Sequence, residues 1–457
     1  MATGAEQEHE AHVCVVGAGL AGLTAARVLE AGGASVVVLE ARARVGGRLL
    51  NEPLPGTDQV VEVGGQWIGP TQDRLAALAA ELGVATYPTH AHGDNLVEWR
   101  GRLVRYRGDI PRISPAILAD VAQAQARLDR MARRVDPEAP WLARHAERWD
   151  RQTFATWIAR NTVTRGAATL FEIGAQAVWA AEPADLSLLH VLFYVSSAGS
   201  FDSLIGTEGG AQQDRFVGGS QLLALRLEQR IAAPVELCAP VRAIAQDRYG
   251  VTVAADGHRV RAGAVVVALP PTLTARLTYE PALPAARDQL VQRMPQGTVT
   301  KCMAVYDEPF WRADGLSGQA LSVAGPARIV FDNSPPDASR GVLLGFLEGR
   351  VARDLGAWEP AARRHAVVDG FRRLFGPRAG APEAYLERSW ADEEWTRGCY
   401  GCYLPPGAWT AHGPALRAPV GRLHWAGSET ATRWSGYMDG AVRSGERAAA
   451  AVLGQLG

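Results

Sequence analysis

The chain has 457 residues, 47% hydrophobic and 21% charged, with a formal net charge of −1 at pH 7. That length exceeds what one hydrophobic core organises, so two domains are expected. The near-neutral balance excludes a partner recognised by bulk charge, such as nucleic acid, and an odd count of five cysteines implies no disulfide framework.

Residues 1–11 are polar and acidic, unlike a signal peptide, and no apolar run is long enough to span a membrane. A cytoplasmic protein without a membrane anchor is expected. Residues 13–16 (VCVV) form a short apolar strand. Gly17-Ala18-Gly19-Leu20-Ala21-Gly22 follows at once, then a helix over Leu20–Ala31, a second strand over 35–39 and an acid, Glu40. This is the βαβ fingerprint of a dinucleotide site. Gly17 makes the tight turn, Gly19 lets backbone approach a pyrophosphate, and Gly22 lets helix and strand pack closely. The helix N-terminus favours the anion, and Glu40, 18 residues past Gly22, is placed to accept from a ribose hydroxyl.

The fingerprint does not choose between NAD and FAD, but the continuation through Gly46-Gly47-Arg48 does. An NAD domain needs no second glycine pair with a fixed cation. Residues 60–70 (VVEVGGQWIGP) bring Gly64 and Gly65, where backbone can lie against a flat ligand. A helix is expected over 72–82, closed by Gly83.

From 87 to about 205 the texture turns helical, with helices over 117–135 and 166–180, read as an inserted substrate region. His90 and His92 read as surface loop residues without a catalytic role. Phe216-Val217-Gly218-Gly219-Ser220 announces a return to the nucleotide domain, followed by short strands at 235–237, 241–244, 251–254, 259–261 and 264–269. The last is a fully buried strand stopped by Pro270-Pro271. Strands beyond 295 belong to a substrate sheet. Finally, 423–430 reads as strand, glycine and polar cap, and 440–450 as a helix.

Taken together, GAGLAGL, VLEARARVGGR, GPTQDR, FVGGS, GTVTKC, EPFWR, RGCY, PPG and GSETATRWSGYMDGAVRSGERAA resemble the flavin-containing monoamine oxidases, over about residues 13–449. The resemblance implies an α/β fold: a Rossmann-like FAD-binding domain of residues 1–86, 212–290 and 391–457, interrupted by an α+β substrate domain of 87–211 and 291–390. It implies FAD as cofactor, a small-molecule amine and O2 as partners, and an enzyme that deaminates the amine oxidatively. A homodimer is left open, and no metal is expected. Compared with the membrane-bound animal enzymes the chain shows no C-terminal anchor helix, as in the soluble bacterial members.

Carried over motif by motif, the resemblance gives Lys301 a water bridge to the flavin N5. A lysine inside an apolar, strand-like segment is unusual on its own account. Tyr400 and Tyr437 become two rings that sandwich the amine nitrogen, and Cys399 the site of a thioether to the flavin. Cys399 and Cys402 form a CxxC, read as neither a redox nor a zinc motif. Arg48 is assigned to the diphosphate side of FAD. Val241, Trp390, Gly427, Ser428, Glu429 and Met438 are further cofactor residues. Ile205, Gln212, Ile329 and Phe346 line the substrate cavity. None of the residues placed around the substrate is a carboxylate, so arylalkyl monoamines are expected over diamines. A polyamine oxidase would need an acid such as Glu208, an L-amino-acid oxidase an arginine such as Arg433. A desaturase or dehydrogenase of the same family, or a flavin-binding protein without turnover, are the remaining alternatives.

Overall fold

The computed structural model describes residues 6–108 and 110–456. Its first sheet is built on the fingerprint. β1 (Gln7–Val16), α1 (Leu20–Ala31) and β2 (Val36–Leu39) form the expected parallel unit, with Val13 opposite Val36 and Val16 opposite Leu39. The strand order is Val235–Glu236, β2, β1, His258–Val267, Val251–Ala255, Val241–Gln246 and Thr278–Glu280, and Leu423–Trp425 also pairs with the end of His258–Val267. The strands around β1 run parallel, and where Val13–Val16 lies between Val36–Leu39 and the end of His258–Val267 they are buried on both faces and read as unbroken apolar runs. The C-terminal helix Met438–Leu456 packs on α1, so residues far apart in the chain close one layer.

Two expected strands, 259–261 and 264–269, are one, His258–Val267. Gly263 does not break it, because β1 pairs alongside for its whole length, from Gln7 opposite His258 to Val16 opposite Val267. The same pairing draws β1 back to Gln7, into residues that read as a polar leader.

The second sheet has seven strands in the order Ala384–Ser389, Val299–Tyr306, Gly341–Glu348, Ile329–Asp332, Leu316–Ser322, Asp94–Trp99 and Arg102–Tyr106. The last two add a strand pair to a region, 87–205, that reads as dominated by helices. They form a hairpin about Arg100-Gly101, both at positive φ, as a two-residue turn requires. The helices follow from Pro115–Ala132 onward, and Leu188–Ala198, nearly all buried, runs through their core. Among the described residues no helix is long and apolar enough to cross a membrane.

Candidate active site

A cavity of about 470 Å³ runs from the fingerprint to the second sheet. At one end Gly17 turns at φ +101°, and a Cβ on Gly19 would meet only the Gly47 Cα, at 3.9 Å. The ground before the N-terminus of α1 is therefore open to a phosphate. Gly22 faces away. A Cβ there would strike the Gly17 carbonyl at 1.8 Å, so this glycine serves helix packing and does not line the cavity. The buried Glu40 is held by the amides of Ala18 (2.8 Å) and Arg42 (2.9 Å) and reaches the cavity wall beside Val241. The acid, the glycines and the helix end are the groups that would hold the ribose and pyrophosphate of a dinucleotide in this cavity.

Arg48 borders the cavity, and its two terminal nitrogens donate to protein: to Glu429 at 2.7 and 2.9 Å, to Ser428 Oγ at 3.1 Å and to the Tyr400 carbonyl at 2.7 Å. Glu429, expected on the cofactor, is itself outside the lining and acts through this pair. Gly427, Ser428 and Met438 do line it.

Lys301 stands in the middle of Val299–Tyr306, 4% exposed. Its Nζ donates to the carbonyls of Glu62 and Gly64 (3.0 Å) and to Gln66 Oε1, and lies 5.9 Å from the ring centres of Trp67 and Phe346. Burial brings this amine down to about 7, against the pull of Glu62, whose carboxylate is paired with Arg215. Trp390 is fixed by a 2.8 Å bond from its Nε1 to the Val63 carbonyl. The segment 62–66 is thus gripped from both sides, which holds Gly64 and Gly65 on the cavity wall.

Cys399 and Tyr400 are joined by a cis peptide on the same wall. Burial pushes the Cys399 thiol up to about 12. Tyr400 packs edge-on against Phe346, and Tyr437 against Trp434 and Tyr194. Among the described residues neither of these two rings packs on the other, and both border the cavity. Ile329 and Phe346 join them, Ile205 stands at 40% exposure, and Gln212 donates to the Leu204 carbonyl while its Oε1 is buried without a partner. Glu208 and Arg433 are exposed and border no part of the cavity, and His90 and His92 are likewise off it. A group of donors with metal-like spacing, His9, Glu236 and His258, also lies away from it.

Sequence reasoning missed Trp67, Tyr194 and Phe331 on the wall, and above all Glu348. This carboxylate corrects the expectation that the substrate wall carries none. It ends strand Gly341–Glu348, is buried, and accepts a 2.8 Å hydrogen bond from the Tyr400 hydroxyl.

A family profile described as Flavin containing amine oxidoreductase matches residues 20–453. The chain belongs to that family. A Mycobacterium tuberculosis protein carrying the name flavin-containing monoamine oxidase AofH is 44% identical over 444 residues, covering 97% of each chain. Among solved structures, a putrescine oxidase superposes with a TM-score of 0.95 at 34% identity, covering 98% of this chain and 100% of that one. Cyclohexylamine oxidase from Brevibacterium oxydans IH-35A gives 0.94 at 34%, covering 98% and 99%. The protein is therefore an FAD-containing amine oxidoreductase with the amine oxidase fold, and the cradle around Gly17, Gly19 and Glu40 suits that cofactor.

Proposed function

We propose that the protein deaminates primary arylalkyl monoamines oxidatively, giving aldehyde, ammonia and H2O2. The observation that carries this reading is the composition of the wall beyond the flavin end. Ile205, Ile329, Phe331 and Phe346 offer apolar and aromatic surface to a hydrocarbon tail, worth roughly 0.8 kcal/mol per buried CH2. FAD held in this cradle would supply the acceptor for the two electrons and the hydrogen that leave the α-carbon, with O2 as the final acceptor. In this reading Tyr400 and Tyr437 flank the amine nitrogen and aim its α-carbon. Gln212 Oε1, without a protein partner, accepts a hydrogen bond from the substrate or its water. Lys301 supplies positive charge where oxygen is reduced. Cys399, on the cavity wall, is the residue that would carry a covalent link to the cofactor. The released imine hydrolyses in water.

A diamine is the second reading. It is favoured by Glu348, a carboxylate on the wall, and by the likeness to putrescine oxidase. A panel of benzylamine, phenylethylamine, tyramine, cyclohexylamine, putrescine and spermidine, followed by peroxide release, separates the two. The arylalkyl amines should give the highest kcat/KM. A maximum at putrescine or spermidine would replace the first reading with the second.

A further inference from the structure

We infer that Glu348 is the group that receives the substrate's ammonium proton, converting the abundant protonated amine into the oxidisable free base inside the cavity. The inference rests on the reading of this cavity as the amine site and assigns a residue to a step that reading leaves open.

Alkylamines have pKa near ~10, as the lysine side chain does, so near neutral pH almost all of the substrate arrives as a cation. The cation has no lone pair, and oxidation at the α-carbon needs one. A proton must leave the nitrogen, and it needs an acceptor at the reacting end of the pocket. Glu348 stands there. Its Oε1 is one hydrogen bond, 2.8 Å, from the hydroxyl of Tyr400. Its Oε2 accepts no hydrogen bond from the described residues, yet the residue borders the cavity. One oxygen is anchored and the other is left for a ligand. A carboxylate reserved for the far ammonium of a diamine would have no reason to be tied to Tyr400.

The surroundings tune this acid for the task. Burial pushes its carboxyl up to about 7, opposed by the Tyr400 hydrogen bond and the charge of Arg328. The charges around it come from several elements. Arg328, just before strand Ile329–Asp332, is drawn aside by Gln176 Oε1 at 3.1 Å. Glu182 sits behind Gly349, held by the Arg350 amide and by Gln176. Val299 is the cross-strand partner of Glu348, and Lys301, two residues along that strand, spends its Nζ on Glu62, Gly64 and Gln66. Tyr437 borders the same space, and burial keeps its phenol protonated. No neighbouring cation therefore closes an ion pair with Glu348 among the described residues, and the position is open to the substrate's own.

The step balances within the cavity. An N–H bond of R–CH2–NH3+ breaks, an O–H bond forms on Glu348 Oε2, and the nitrogen keeps the electron pair. The charges of ammonium and carboxylate cancel, which suits a buried site.

Two measurements test this on the flavoprotein. The first is anaerobic flavin reduction by benzylamine between pH 6 and 10 in wild type and Glu348→Gln. Wild-type second-order rates should rise through an ionisation near 7. In Glu348→Gln that limb should move up toward the pKa of the amine, with a loss of about 100-fold at pH 7.5, where only about one part in three hundred of an amine of pKa ~10 is neutral. The two proteins should converge by pH 10, and inhibition by neutral benzyl alcohol should be unchanged. An unmoved acid limb, or an equal loss of benzyl alcohol binding, would overturn the assignment. The second measurement needs no variant. Calorimetric binding of cumylamine, which lacks an α-hydrogen, is followed at pH 8 in buffers of different ionisation enthalpy. Retention of the proton in the complex supports the proposal, and release of one proton to buffer overturns it. A flavin that no amine of the panel reduces would overturn both this assignment and the proposed function.

Discussion

Arg48 and Glu429, 381 residues apart in the chain, meet in a two-pronged ion pair with N–O distances of 2.7 and 2.9 Å. The same guanidinium holds the Tyr400 carbonyl and Ser428 Oγ, so one side chain ties the fingerprint, the tyrosine segment and the C-terminal block together. Deleting one partner strands a buried charge. Arg48→Met should lower stability to denaturant by about 3–5 kcal/mol and reduce FAD retention. The double variant Arg48→Met/Glu429→Met should recover part of the loss, because the stranded carboxylate is gone. Equal losses in single and double variants would show that the pair carries no coupling.

Much of this layout was legible in the chain, for reasons that particular residues make plain. Gly17, Gly22 and Glu40 have spacings dictated by one local turn, and that turn forms as expected. The hairpin at Arg100-Gly101 was also written locally, as a glycine-containing turn between polar-apolar alternations, but the surrounding helical texture masked it. Glu348 was not legible. Every residue of Gly341–Glu348 is buried, so the strand has no alternation to tell one face from the other. A glutamate before Gly349 reads as the polar end of a strand. Only the register with Val299 and the approach of Tyr400, 52 residues later, turn it into a wall of the cavity. Likewise Arg48 is visible as a fixed cation, but its partner is set by how the two ends of the chain meet.

Lys301 gives a pH signature. Its amine is lowered from 10.5 to about 7, chiefly by burial, so the folded protein binds fewer protons than the unfolded chain between those values. This group therefore adds stability as pH rises from about 7 to 10.5 and withholds it below 7. Protonated Lys301 is the form that would assist reduction of O2, so reoxidation of reduced enzyme should slow as pH rises through about 7. Lys301→Met should lose roughly 10²–10³-fold in that half-reaction, the scale of one electrostatic donor, and should lose its pH dependence. Anaerobic reduction by amine should change little. Stopped-flow rates for the two half-reactions decide it, and equal effects on both would make this lysine a structural one.

Cys399 borders the cavity with a thiol raised to about 12. A thiol so protonated should resist alkylation by iodoacetamide in the folded protein at pH 8, since the thiolate is the nucleophile. Attachment to the cofactor would remove it from thiol counts altogether. Acid-precipitated wild type should keep its yellow colour and give a cysteine-containing flavin peptide on digestion, and Cys399→Ala should release free FAD. Free FAD from precipitated wild type would leave Cys399 as a packing thiol.

The apolar wall makes a quantitative forecast about chain length. Ile329, Phe331 and Phe346 line the path from the tyrosines, and Ile205 stands half in solvent. Each methylene that passes from water onto this surface contributes about 0.8 kcal/mol, or about fourfold in kcat/KM. Straight-chain primary amines should therefore gain about fourfold per added carbon from propylamine until the tail emerges past Ile205, where the slope should flatten. A terminal ammonium reverses the gain, because an unpaired charge pays several kcal/mol to enter such a slot. Butane-1,4-diamine should then fall well below butylamine at equal concentration. Glu348 does not rescue it, for its one free oxygen serves the reacting nitrogen and the other is held by Tyr400. Measured kcat/KM for the two series checks both parts. A flat alkyl series would mean that the tail stays in water, and a diamine faster than its monoamine would mean that Glu348 holds the distal charge instead.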